Sequence, residues 1–296
     1  MLILISDAFD PSLPERLSVF GEVTEDRNRL AEADAVLVRS KTKCTREYID
    51  GAPNLKLIIR GGVGTDNIDT AYALGKGIVV KNTPKASAIS VAEVAFALMI
   101  SVPNQLVTAH VAMTEGRWLK NEIRRTELFG KTLCLVGMGN IAREMALRAR
   151  AFGMKTIACR KSGLPSDFAE VRGSLKEAFS EADYISLHVP LTDETRNMIN
   201  RESISWMKDG VAIINTARGK CVVEEDLAAA LESGKVGAYA SDVWFSDPPS
   251  PDCPLLKAPN VTMTPHIGAN SEENLLRISD EVCELIHHFV KGDLKG

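Results

Sequence analysis

The sequence contains no CxxC pair. Its six cysteines, Cys44, Cys134, Cys159, Cys221, Cys253 and Cys283, are scattered along the chain. That leaves no zinc-binding pattern, no other expected metal site and no disulfide framework, and points to a reducing compartment. No stretch reaches the roughly 18 uncharged apolar residues of a membrane span. The apolar start from Met1 to Ser6 is too short for a signal-peptide core and has no basic flank. An untargeted, unanchored, cytoplasmic protein is therefore expected. A basic excess is missing too. With a net charge of -4 and 25% charged residues, neither nucleic acid nor an anionic membrane is an expected partner, and small molecules are. Internal repeats and low-complexity tracts are also absent.

What is present is enough chain for two domains, since 296 residues stand against about 150 per domain. Short apolar runs at Leu2 to Ile5, Ala35 to Val38, Leu55 to Ile59 and Ile78 to Val80 alternate with turn-rich or helical segments. A second alternating set follows at Thr132 to Val136, Thr156 to Cys159, Tyr184 to His188, Val211 to Asn215, Ala238 to Ser241 and Val261 to Met263. Strands separated by crossovers predict parallel sheets and an α/β fold. Between the sets, Ser90-Val91-Ala92-Glu93 reads as a capping box opening an apolar helix, interrupted near Pro103 and resuming toward Gly116. From Ser271 to Val290, Leu275, Ile278, Val282, Leu285, Ile286 and Phe289 recur at helical spacing, with Gly292 as a stop.

Gly137-Met138-Gly139-Asn140-Ile141-Ala142 directly follows a predicted strand and opens a helix that ends before Gly153. This is the setting of a dinucleotide-binding turn. Gly137 permits the tight turn, Gly139 lets backbone approach a pyrophosphate at the helix N-terminus, and Ala142 serves close packing. The following strand ends in Arg160-Lys161-Ser162, where an NAD-binding chain usually carries a carboxylate for the adenosine ribose. Cations at that point repel nothing and pair with a 2′-phosphate, so NADP is expected over NAD.

Two further strand ends carry reactive groups, in Asn215-Thr216-Ala217-Arg218-Gly219 and Thr264-Pro265-His266-Ile267-Gly268-Ala269, with Asp242 and Asp247 between them. Ligands of doubly wound sheets bind at carboxyl ends of strands. Hydride chemistry on a 2-hydroxy acid needs a fixed cation for the carboxylate, a group exchanging a proton with the C2 oxygen, and a carboxylate orienting that group. Arg218, His266 and Asp247 fit these roles, and the carboxylate is expected to raise the histidine pKa. Asp242 is expected nearer the nicotinamide, His188 is read as a wall of the cofactor pocket, and His110, His287 and His288 as structural or solvated.

Together, Arg60-Gly61-Gly62-Val63-Gly64-Thr65-Asp66-Asn67-Ile68-Asp69, Asn82-Thr83-Pro84, the Gly137 turn, His188-Val189-Pro190-Leu191, Asn215 to Gly219 and Pro265 to Ala269 resemble the D-isomer-specific 2-hydroxyacid dehydrogenases, over essentially the whole chain. The resemblance implies two doubly wound parallel-sheet domains. A Rossmann cofactor domain, residues 102–269, is inserted in a flavodoxin-like substrate domain of residues 1–101 completed by 270–296. It implies an interdomain active site with hinge closure, and a homodimer formed through the cofactor domain. It assigns the Val63 and Gly64 backbone to the substrate carboxylate. To the cofactor it assigns Gly137, Gly139, Asn140, Ile141, Arg160, Val189, Pro190, Thr195, Thr216, Ala217, Arg218, Asp242 and the His266 to Gly268 loop.

The chain departs from the family pattern where Asp247 replaces the usual glutamate and Arg160 the usual aspartate. Asp247 is one methylene shorter, so either a longer contact to His266 or a closer backbone is expected. Within the family, Val38 to Lys43 and Arg60 look like D-3-phosphoglycerate dehydrogenase, making Arg39 and Arg60 candidates for a substrate phosphate. Arg124 and Arg125 could reach a neighbouring subunit's site, and no serine-binding regulatory domain is expected. Oxidation of D-3-phosphoglycerate, or reduction of phosphohydroxypyruvate, is the leading expectation. An NADP-dependent glyoxylate or hydroxypyruvate reductase is the alternative, and a cofactor-sensing binding module like the corepressors of this fold is the alternative of another class.

Overall fold

A computed structural model describes residues 1–294. The chain forms two compact units, Met1–Ala88 with the segment from Ala269 onward, and Ile89–Gly268.

In the first unit the apolar runs become β1 (Leu2–Ile5), β3 (Ala35–Val38), β4 (Leu57–Arg60) and β5 (Val79–Asn82), with β2 (Glu22–Thr24) between the first two. All pair in parallel, in the order β2-β1-β3-β4-β5. Successive side chains point to opposite faces. Ile3, Ile5, Leu37, Leu57 and Ile59 pack on one side of the sheet, Leu4, Val36, Val38 and Ile58 on the other. Burial on both faces is why these strands read as continuous apolar runs, and each such side chain contributes about 1.5–3 kcal/mol. The expected start of β4 at Leu55 shifts to Leu57, because Leu55 is buried in the turn before the strand.

The second unit contains β6 (Thr132–Val136), β7 (Lys155–Cys159), β8 (Glu170–Val171), β9 (Tyr184–Leu187), β10 (Val211–Asn215), β11 (Val236–Ser241) and β12 (Val261–Met263). Their order is β12-β11-β10-β9-β6-β7-β8, again all parallel. The chain reverses direction across the sheet between β6 and β9, which puts the ligand position of such a sheet at the carboxyl ends of these strands.

The helix Ala88–Asn104 opens this unit, and its Ala95, Phe96, Leu98 and Met99 pack against β6. The expected domain division at residues 101 and 102 therefore falls inside a helix, whose N-terminus is where the compact units divide. The expected capping box is not its start. The helix begins two residues earlier, the Ser90 hydroxyl donates to the Gly268 carbonyl at 2.7 Å, and Glu93 pairs with Arg148 at 3.1 Å. Tertiary partners outcompete the local cap here. Pro103 lies in the last turn, and the break follows at Gln105, left-handed at φ 49°. The next helix, Leu106–Thr114, leaves at 68°. No single helix among the described residues is long and apolar enough to cross a membrane.

The last helix, Glu272–Val290, belongs to the first unit. Ser271 caps it by accepting the Asn274 N–H, and Gly292 ends it at φ 78°. Ile278, Val282 and Ile286 enter the first unit's core.

Candidate active site

The turn between β6 and the helix Asn140–Ala151 shows why its glycines are needed. Gly137 has φ 92°, and a Cβ there would lie 2.4 Å from the His188 carbonyl oxygen, so only glycine fits. Gly139 is the helix N-cap, with no side-chain cap, and a Cβ on it would meet nothing within 4 Å. No acidic residue lies in the first turn, which suits a pyrophosphate at this helix N-terminus. Ala142 is fully buried against the sheet.

Around this turn stand the other residues expected at a cofactor. Arg160 follows the end of β7 and is half-buried, whereas the Lys161 ammonium is held by the Glu194 carboxylate at 2.6 Å. Val189 and Pro190 follow β9. Thr195 spends its hydroxyl on that same loop, donating to the Pro190 carbonyl at 2.6 Å and accepting the Thr192 N–H at 2.8 Å. His188 bonds through Nε2 to the Ser186 hydroxyl at 2.9 Å, and burial pulls its pKa down to about 4, so the ring is neutral. Thr216 is buried, and its hydroxyl has no hydrogen-bond partner among the described residues. An orphaned buried hydroxyl at a strand end is a group that a bound nicotinamide dinucleotide would satisfy.

The three reactive loops are knit together within the second unit. Arg218 leaves β10 in extended conformation, donates to the Ala217 carbonyl at 2.6 Å, and its own carbonyl accepts from the Asn215 amide at 3.0 Å. Gly219 lies against the backbone of Trp244, where a Cβ would come within 1.9 Å. Asp242, only 2% exposed, accepts the Thr264 hydroxyl at 2.6 Å and the backbone N–H groups of Ile267 at 2.8 Å and Gly268 at 2.7 Å. Its carboxylate thereby fixes the turn on which His266 sits at φ 57°.

His266 Nδ1 lies 2.5 Å from Asp247 Oδ2, so of the two expected outcomes of the shorter side chain, a longer contact or a closer backbone, the longer contact does not occur. Nε2 has no partner among the described residues. Of the remaining histidines, His110 is exposed on the helix Leu106–Thr114, and His287 and His288 lie on the last helix, where His287 packs edge-on against Phe20.

In the first unit the candidate substrate residues sit at carboxyl ends of strands. Arg39 follows β3. Both terminal nitrogens of its guanidinium are engaged, one with the Ala269 carbonyl at 3.0 Å and Asn270 Oδ1 at 3.2 Å, the other with the Ala8 carbonyl at 3.4 Å. Its backbone N–H is held by Asp7 at 2.6 Å. Arg60 ends β4 and lies across Gly62, where a Cβ would be 1.5 Å from a guanidinium nitrogen. The Val63 carbonyl accepts from Asn82 at 2.5 Å, and the Gly62 N–H donates to Thr83 at 2.7 Å. The Val63 and Gly64 amides have no partner among the described residues. In the second unit, Arg125 bonds to Asn104 at 2.7 Å, which accounts for it as a local tie.

Sequence reading missed the polar groups beneath these loops. Asn215, Tyr239 and Ser241 are buried and bonded to one another, inside strands that read simply as apolar. The only signal was the presence of polar residues in runs otherwise made for a core.

Residues 96–268 match the family model described as D-isomer specific 2-hydroxyacid dehydrogenase, NAD binding domain. A hydroxypyruvate reductase of Thermotoga maritima is 48% identical over 259 residues, covering 87% of this chain and 85% of that one. A D-3-phosphoglycerate dehydrogenase of Methanocaldococcus jannaschii is 40% identical over 305 residues, 99% of this chain and 58% of that one; the chain spans little more than half of its length. Among solved structures, a glyoxylate reductase from Paecilomyes thermophila superposes with a TM-score of 0.89 at 33% identity, over 99% of this chain and 96% of that one.

Proposed function

The chain belongs to the D-isomer-specific 2-hydroxyacid dehydrogenases, and from that premise we propose that it reduces hydroxypyruvate or a close unphosphorylated 2-oxo acid, with NADP as the preferred hydride carrier. The observation carrying the chemistry is the pair His266 and Asp247. Asp247 holds the Nδ1–H, which leaves Nε2 to give a proton to the C2 oxygen during reduction and to take it back during oxidation. Arg218 pairs with the substrate carboxylate. When bound, the nicotinamide supplies or accepts the hydride at C2. Gly137, Gly139, Asn140 and Ile141 hold the pyrophosphate, and Val189, Pro190, Thr216, Ala217 and Asp242 line the dinucleotide. Arg160 supports the choice of NADP, since its neighbour Lys161 is already ion-paired.

Arg39 supports the unphosphorylated substrate. A guanidinium with both terminal nitrogens bonded to Ala269, Asn270 and Ala8 ties segments of the first unit together, and recruiting it to a phosphate would leave those acceptors unpaired. The second reading, phosphohydroxypyruvate, rests on Arg60 and on the Methanocaldococcus relative. We also propose that two copies associate through the helix Leu106–Thr114, whose Leu106, Val107, Val111 and Met113 are exposed.

Initial rates with hydroxypyruvate, glyoxylate and phosphohydroxypyruvate, each with NADH and NADPH, test substrate and cofactor together. The highest kcat/KM is expected for hydroxypyruvate with NADPH. A preference for the phosphorylated acid would overturn the Arg39 argument, and a preference for NADH the Arg160 one.

A further inference from the structure

Beneath the Arg218 loop runs a directional chain of buried hydrogen bonds that no part of the chemistry above uses. Asn215 is fully buried at the end of β10. Its Oδ1 accepts the Ala217 N–H at 3.0 Å, and its Nδ2 donates both to the Arg218 carbonyl at 3.0 Å and to the Tyr239 hydroxyl at 3.2 Å. Tyr239, opposite Ile213 on the neighbouring strand β11, passes the chain on by donating to the Ser241 hydroxyl at 3.1 Å. Ser241 donates to the Val243 carbonyl at 2.7 Å and accepts the Val243 N–H at 3.3 Å. Those last bonds fix the backbone on both sides of Asp242, the residue that holds the His266 turn.

We propose that Tyr239 is a positioning residue for the substrate-carboxylate anchor. Through Asn215 its hydroxyl sets the backbone from which Arg218 projects, and through Ser241 it couples that backbone to the Asp242 loop. The inference rests on the reading of Arg218 given above. An amide such as Asn215 has a limited set of donors and acceptors. The Tyr239 hydroxyl is the acceptor for its second N–H, a third bond that tightens the plane in which it grips both Ala217 and Arg218. Burial pushes the Tyr239 hydroxyl up to about 12, so it keeps its proton and its donor role throughout the working pH range. Its ring is 1% exposed and packs in the hydrophobic core, so removing only the oxygen leaves that packing in place.

The test is a double-mutant cycle on the intact enzyme with Tyr239→Phe, Arg218→Ala and the pair, using the best substrate of the panel above. Readouts are KM, kcat, NADPH affinity by fluorescence titration, and inhibition by oxamate, a carboxylate-bearing isostere of a 2-oxo acid. Tyr239→Phe is expected to raise KM and the oxamate inhibition constant about tenfold. NADPH affinity and kcat should stay within about twofold, and in the Arg218→Ala background the hydroxyl should have no further effect. Tyr184→Phe removes another tyrosine hydroxyl at the amino end of the same sheet, on β9, and should leave KM unchanged.

An equal loss in both backgrounds would overturn the inference, because it would mark Tyr239 as merely structural. So would a Tyr239→Phe enzyme indistinguishable from wild type when Arg218→Ala itself has lost substrate affinity. If Arg218→Ala leaves KM and oxamate binding unchanged, the reading of Arg218 fails first and takes this inference with it. Should Tyr239→Phe not fold, Ser241→Ala replaces it, since it removes the acceptor that orients the phenol, and the same dependence on Arg218 is required.

Discussion

At φ 57° the backbone of His266 occupies the left-handed region, which costs a residue with a Cβ of the order of 1–2 kcal/mol. The conformation is held by the buried Asp242 carboxylate, which collects the next two backbone N–H groups and the Thr264 hydroxyl. A ring fixed in this way and oriented by Asp247 has one nitrogen, Nε2, without a partner among the described residues. His266→Asn is accordingly expected to lower kcat by roughly 10²–10⁴-fold while NADPH affinity, measured by fluorescence titration, stays within about twofold. Turnover surviving within tenfold would remove His266 as the proton carrier. His188 makes a contrasting prediction. It is neutral in the folded protein, with its pKa brought from 6.5 to about 4 by burial, and takes up a proton when the chain unfolds. The unfolded state then binds more protons below pH 6.5, so stability from this group is complete above that pH and is lost as pH falls toward 4. From pH 7 to pH 5 the loss is about 2 kcal/mol, read by urea unfolding, and it should vanish in His188→Gln. At this scale the candidate residues could be named in advance because each follows an apolar run and has a chemistry of its own. The bonding partners of Asp242, Asn215 and Arg39 could not. Their roles depend on which backbone groups the fold brings to them, and spacing in the sequence carries no record of that.

The strand-to-helix turn at Gly137 separates two reasons for a glycine within one element. At Gly137 an added methyl meets the His188 carbonyl and the φ is positive; at Gly139 the φ is -81° and the space above is open. Gly137→Ala is therefore expected to destabilise the fold, lowering Tm by several degrees or more. Gly139→Ala should melt within a few degrees of wild type yet bind NADPH at least tenfold more weakly, because its methyl stands where a pyrophosphate approaches the backbone. Equal cofactor affinity in Gly139→Ala would count against this turn as the phosphate site. Elements such as this one were readable in advance because strands buried on both faces are continuous apolar runs and the glycines punctuate them. The strands β2 and β8 were not, for they are short, polar and at sheet edges, with pairing that comes from the neighbouring strand rather than from their own side chains. The helix start at Ala88 was misread for a related reason. Ser90 and Glu93 have the composition of a cap, but their partners, Gly268 and Arg148, are remote in sequence.

At the scale of the whole molecule, the helix Leu106–Thr114 carries much exposed apolar surface. Of its residues only Ala112 is buried, while Leu106 is 52% exposed, Val107 49%, Val111 43% and Met113 56%. A helix this short is marginal in water on its own, where packing of an apolar face normally supplies the stability, and several exposed apolar side chains on one short helix are a candidate association surface. It also departs by 68° from the preceding helix. A second copy presenting the same helix would cover both patches at once, as expected of an isologous pair. Sedimentation equilibrium at micromolar concentration is therefore expected to give a dimer, and Val107→Glu with Val111→Glu to give a monomer, since each charge would be buried without a partner in the association. The monomer should retain NADPH binding, because the Gly137 turn and the loops of Arg218, Asp242 and His266 are held by bonds within a single chain. A wild-type enzyme that sediments as a monomer would refute the association. A variant that dimerises as well as wild type would move the interface to another surface.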